Sequence, residues 1–145
     1  MRLLSAALIT MILLACCAHR DPSRVQIANH LIISFLINYA SAQVVQYHQT
    51  GHYHDEWAPD AISKLDPNLA ALYAEVRQLH YLCSGSISKY SFSAACFPDS
   101  DSGLTLSFFI DQTLTLRMSG EGAANSESPV VGLTDQERAL LRRGT

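Results

Sequence analysis

Leu104-Thr105-Leu106-Ser107-Phe108-Phe109-Ile110-Asp111-Gln112-Thr113-Leu114-Thr115-Leu116-Arg117-Met118 sets Leu, Phe and Ile against Thr, Ser and Arg, in near alternation, on both sides of Asp111-Gln112. A period of two is that of a half-buried strand, whose successive side chains point to opposite faces. Residues 104–110 and 113–118 therefore read as two strands joined by a tight turn at Asp111-Gln112. Residues 90–96 alternate aromatic and small side chains with Ser, and the run from Phe97 to Gly103 is dense in turn formers. The pattern predicts an antiparallel meander of about three strands.

Upstream the period changes. Asp21-Pro22-Ser23 offers an N-cap with Pro in the first turn, and Gly51 is a stop signal. Between them Ala28, Leu31, Ile32, Phe35, Tyr39, Ala42 and Val45 recur at steps of three and four, which predicts one long helix with a face built for burial. Asn29, His30, Ser34, Asn38 and Gln43 interrupt the rest and argue against a membrane span. No charged residue occurs from Val25 to His54, which implies burial on more than one side, or a partner. The segment from Leu31 to Ile37, with a strand edge, is the expected contact surface. A second helix is expected from Asp66-Pro67 to about His80, on the spacing of Leu69, Leu72, Tyr73, Val76 and Leu79. The tail from Ser119 to Val131 reads as irregular, with a short helix over 135–142. A long N-terminal helix laid on a small antiparallel sheet, with a short second helix between, is an α+β plan.

The chain has 145 residues, of which 48% are hydrophobic, enough for one modest domain. Its net charge of −3 is small, and its ten Lys and Arg are scattered, so it shows no nucleic-acid footprint. At the start, Arg2 precedes an uncharged, mostly apolar run, residues 3–14, which is shorter than the roughly 20 residues that span a bilayer. The run ends in Leu13-Leu14-Ala15-Cys16, which resembles the lipobox of bacterial lipoproteins, where a small residue precedes a Cys that is lipidated on sulfur. The expected division is a signal peptide over 1–15, a lipidated tether over 16–22, an α+β domain over 23–131 and a tail over 132–145. Cys17 follows Cys16 where an Asp would signal inner-membrane retention, so an outer membrane is the expected destination in a cell that has one.

An exported chain meets an oxidising compartment, and Cys83 with Cys96 is expected to form a disulfide worth about 3 kcal/mol in the loop-entropy account. The Ser84-Gly85-Ser86 run reads as a polar loop inside it. A metal or redox pair would need CxxC spacing or an intervening His, and neither is present. His48, His52 and His54, followed by Asp55 and Glu56, are the candidate metal set, since His48 and His52 stand one helical turn apart. Against this, Gly51 is expected to end the helix before His52. His30 and His80 read as partly buried residues of helical segments. No HExxH helix, no Gly-x-Ser-x-Gly elbow and no Gly-rich phosphate loop occurs in the sequence. The expectation is a protein that is not an enzyme and needs no cofactor.

Ile37-Asn38-Tyr39-Ala40 through Tyr47, then Thr50-Gly51-His52-Tyr53 and Ala58-Pro59-Asp60, resembles the helix end and following loop of type IV pilin-like and pseudopilin head domains. Those heads commonly carry an Ile-Asn-x-Ala segment, a Tyr one or two turns later, a Gly-x-Tyr and a Pro-bearing loop. Tyr90-Ser91-Phe92 is similar to their tyrosine-led first strand. Ser107-Phe108-Phe109-Ile110-Asp111-Gln112, closing on Arg117, resembles their Phe-Phe-x-Asp hairpin, and Ala123-Ala124-Asn125-Ser126 with Ser128-Pro129 resembles their tail. The chain lacks the prepilin peptidase motif of that family. Leu114 stands where the family hairpin usually has Gly, so another turn type is expected there. The resemblance implies a structural role in secretion or in a pilus, exercised through protein contacts by a head tied to the membrane. The alternative is a small periplasmic or surface binding lipoprotein using His48, His52 and His54.

Overall fold

In the computed structural model, which describes residues 22–54 and 57–142, the charge-free segment forms one helix, α1 (Pro22–Thr50, 29 residues). It stops at Gly51, whose φ of +76 is a left-handed angle that glycine adopts without a Cβ penalty, and whose N–H reaches the Tyr47 carbonyl at 2.8 Å. The expected signal peptide, most of the tether, and Cys16 within it lie outside the described residues.

Burial on α1 is wider than a stripe. Ile32, Phe35, Leu36, Ile37, Tyr39 and Ala40 are all fully buried. The sheet packs against one side of the helix, and shorter helices over residues 59–65, 67–78 and 135–142 pack against others. A Lys or Glu anywhere on these faces would surrender its hydration without a partner. At the covered positions the missing charge is thus explained within the chain, though Gln26, Ile27, His30 and Val45 are exposed, and residues Leu31 to Ile37, expected as a contact surface, are largely core.

Residues read as a Pro-bearing loop form a short helix, α2 (Pro59–Leu65), burying Ala61 and Ile62. Asp66 closes it and opens α3 (Pro67–Gln78), where its carboxylate accepts the Asn68 N–H at 2.8 Å. Leu69, Tyr73 and Val76, at helical spacing, are the buried positions of α3. His80 then takes a φ of +58 in the turn out of α3, and it and His30 are exposed, not partly buried as expected.

The sheet has four strands, β1 (Tyr81–Ile87), β2 (Phe92–Pro98), β3 (Ser107–Asp111) and β4 (Arg117–Ser119), paired antiparallel in sequence order. This is the expected meander with one strand more, because the Ser-rich run read as a loop is β1. Its Ser84, Gly85 and Ser86 carry no alternating hydrophobicity, and its place is fixed by partners elsewhere in the chain. Tyr81, Phe92, Ala94, Cys96, Phe108 and Ile110 are buried from the sheet into the common core.

The turn after β3 keeps the left-handed angle that Leu114 was expected to forbid. Leu114 has φ +58 and donates its N–H to the Asp111 carbonyl at 2.9 Å, while the Asp111 carboxylate accepts the Thr113 N–H at 2.9 Å. The roughly 1–2 kcal/mol cost of that angle is offset by the Leu114 side chain, which packs against the core. Beyond β4 the chain doubles back: the Met118 N–H meets the Pro129 carbonyl at 2.9 Å and the Val131 N–H meets the Leu116 carbonyl at 2.8 Å. This strap covers the open edge of β4. The last helix, α4 (Asp135–Arg142), opens with a capping box in which Thr134 and Glu137 bond reciprocally, the Thr134 N–H to the Glu137 carboxylate at 2.7 Å and the Glu137 N–H to the Thr134 hydroxyl at 3.3 Å. Leu141 is buried, and Ser41 of α1 donates to the Leu140 carbonyl at 3.3 Å.

Candidate functional site

The histidine-bearing end of α1 is organised by Gln43. Its side chain is fully buried and both ends of the amide are used. Nε2 donates to the Tyr39 hydroxyl at 2.8 Å and to the His54 carbonyl at 3.2 Å, and Oε1 accepts the His54 N–H at 2.8 Å. The turn after Gly51 is thereby pinned to the helix. Burial pushes the Tyr39 hydroxyl up to about 12, against the lowering by its bond to Gln43, so the phenol stays protonated. Tyr53, stacked on Tyr47 with ring centroids 4.7 Å apart, is also raised, by burial first and by Tyr47 second.

The three candidate ligands do not converge. His48 and His52 are exposed; the His52 Nδ1 lies 3.1 Å from the Thr50 carbonyl. His54 is half-buried, and its Nε2 has no hydrogen-bond partner among the described residues. Gly51 ends the helix between His48 and His52, which removes their shared face. Among the described residues no three His, Cys, Asp or Glu side chains come together as a metal set, and Asp55 and Glu56 lie outside them. No described helix is long and apolar enough to cross a membrane.

Cys83 and Cys96, by contrast, stand directly opposite in the β1–β2 register and are joined by a disulfide. Beside them Trp57 carries a contact that sequence reading missed. Its indole N–H donates to the Cys83 carbonyl at 3.2 Å, and its ring lies so close over Gly85 that a Cβ there would sit 2.2 Å from Cε3. The same ring meets Phe35, Tyr39 and Tyr73 edge-on, at centroid distances of 6.3, 4.8 and 6.4 Å. A lone Trp facing a strand glycine is the only sequence signal of this lock.

What remains outside is a scattered set of large apolar side chains. Leu82 on β1, Tyr90 in the β1–β2 turn, Ile27 near the start of α1 and Val130 in the strap are exposed. The Lys89 ammonium sits 5.0 Å above the Tyr90 ring. Apolar side chains exposed singly in this way are ordinary on a protein surface, while the buried amide and phenol and the disulfide hold the scaffold. No family model, curated protein or solved structure matches this chain.

Proposed function

We propose that the protein is a lipid-anchored component of the bacterial cell envelope whose pilin-like head acts through protein contacts, with no enzymatic step, in a secretion or pilus assembly. One conjunction carries the reading: an export-type leader ending in Ala15-Cys16 precedes a body whose Cys83 and Cys96 are bridged. Structural disulfides persist in the oxidising compartments to which such a leader directs a chain. The layout of a long helix against an antiparallel meander supports the pilin-like part. With Leu31 to Ile37 committed to the core, the contacts fall to exposed groups such as Leu82 and Tyr90.

Membranes solubilised gently and passed over the tagged, full-length chain test this. The expected result is recovery of a pilus or secretion subunit, weakened in a Leu82→Ser/Tyr90→Ser variant of unchanged melting temperature. Recovery of no such subunit, or recovery indifferent to the two substitutions, contradicts the proposal.

A further inference from the structure

The first turns of α1, next to the expected tether, lie against the segment that leads into β3. Two hollows meet there, sharing Leu104 and Thr105. One, of about 210 Å³, lies between that segment and Val25 and Asn29 of α1; the other, of about 340 Å³, lies between it and Phe97 and Pro98. No charged side chain lines either hollow. Ile27, 58% exposed, stands on the same first turns of α1. The Asn29 Oδ1 is buried and has no hydrogen-bond partner among the described residues, so an occupant bearing a donor would satisfy it. Arg24 precedes this apolar patch on α1, Asp101 precedes it on the loop, and Glu121 stands between Gly120 and Gly122 of the second hollow, all three exposed.

Chain length says what lies opposite. Six steps separate Cys16 from Pro22, and even fully extended they reach only about 20 Å. A lipid on Cys16 therefore holds this end within that distance of the bilayer at all times. The β1–β2 turn is remote from it: Phe92, next to that turn, packs on Tyr53 at a centroid distance of 5.0 Å, beyond the far end of α1. A helix of 29 residues is about 43 Å long at 1.5 Å per residue.

We infer that the apolar patch formed by Val25, Ile27, Asn29, Phe97 and residues 103–106 is a seat on the lipid surface that carries the anchor, with Ile27 and Leu104 entering the headgroup layer. With Arg24 set against Asp101 and Glu121, the end carries no excess of positive charge, which suits a zwitterionic surface rather than an anionic one. Seated this way, α1 stands upright and presents Lys89 and Tyr90 outward. The inference rests on the lipid-anchored reading.

The test separates the two. The chain from Cys16, with Cys17→Ser, is coupled through the Cys16 thiol to a maleimide phospholipid in vesicles of phosphatidylethanolamine and phosphatidylcholine, the ethanolamine ammonium being the donor for Asn29; Cys83 and Cys96, being bridged, do not compete. Hydrogen exchange is then followed with and without coupling. Exchange of the 103–107 amides is expected to slow about tenfold on coupling, with Lys89 and Tyr90 unchanged. The slowing is expected to vanish in Ile27→Glu/Thr105→Glu, whose melting temperature is unaltered because both side chains are exposed. Equal exchange with and without coupling, equal slowing at Lys89 and Tyr90, or slowing that survives in the double variant would each overturn the seat. Because this lipid is added chemically, failure of the seat is distinct from failure of natural lipidation, which the mass of the native N-terminal peptide reads.

Discussion

Helix α1 and the β1–β2 hairpin pack against one core yet owe their order to different things. α1 carries its own instructions: a helical apolar period, Pro22 at its start, Gly51 at its end, and no charge along the faces that the sheet and the shorter helices cover. β1 carries less, since Ser84, Gly85 and Ser86 interrupt the alternation that Tyr81, Cys83 and Ile87 begin and end. It is a strand because Cys83 is bridged to Cys96 across the register and because Trp57, 26 positions away, bonds the Cys83 carbonyl and rests on Gly85. One element is specified locally and the other by its tethers, so they should fail in different ways.

The largest effect is expected at Trp57. Trp57→Ala removes three edge-on aromatic contacts and the bond to Cys83, and should destabilise by about 3–5 kcal/mol, read by urea melts. Gly85→Ala should cost about 1–3 kcal/mol by overpacking in the native chain and much less in the Trp57→Ala background. Additive losses would break the claim that the pair is one lock. Replacing Cys83 and Cys96 together by Ser should cost about 3 kcal/mol and raise exchange in β1 and β2 before α1. Uniform loosening of both would erase the distinction between the regions.

On the helix side, Gln43→Leu leaves the His54 N–H buried and unpaired, at a cost of about 2 kcal/mol. Exchange at residues 51–54 should rise while the middle of α1 stays protected. Alkaline pH acts on both regions. Burial raises Tyr39 and Tyr81 from 10 to about 12. The unfolded chain therefore sheds both protons first, and stability present below pH 10 is lost as pH rises toward 12. Tyr39→Phe and Tyr81→Phe should each flatten that fall in melting temperature. The smallest change is Thr134→Ala, which opens the capping box of α4 at about 1 kcal/mol and should raise exchange in α4 alone.

What could be read from the sequence follows the same division. α1 and the Asp66-capped α3 announced themselves through period and caps, β3 through its alternation, and Cys83 with Cys96 through the oxidising context; the short helix over 135–142 was expected without its capping box, which only the structure shows. β1 was hidden because Ser84, Gly85 and Ser86 fit a loop as well as a strand until Trp57 is seen above Gly85. α2 was hidden because seven residues hold too few apolar positions to show a period. Leu114 misled because its angle is sustained by packing that no local rule contains. Of the candidate site, the disulfide was legible. The set of His48, His52 and His54 was already weakened by the stop at Gly51, which the sequence shows, while the hold of Gln43 on His54 was out of view, and Leu31 to Ile37 looked like a contact face because apolarity alone does not say which molecule covers it.

The central claim is the anchor, and the most direct measurement is the intact mass and N-terminal peptide of the protein taken from membranes, for the natural chain and for Cys16→Ala. A chain beginning at a diacylated Cys16, with that species absent in the variant, is the predicted result. An unlipidated chain that retains residues 1–15, or one cut elsewhere, would contradict it.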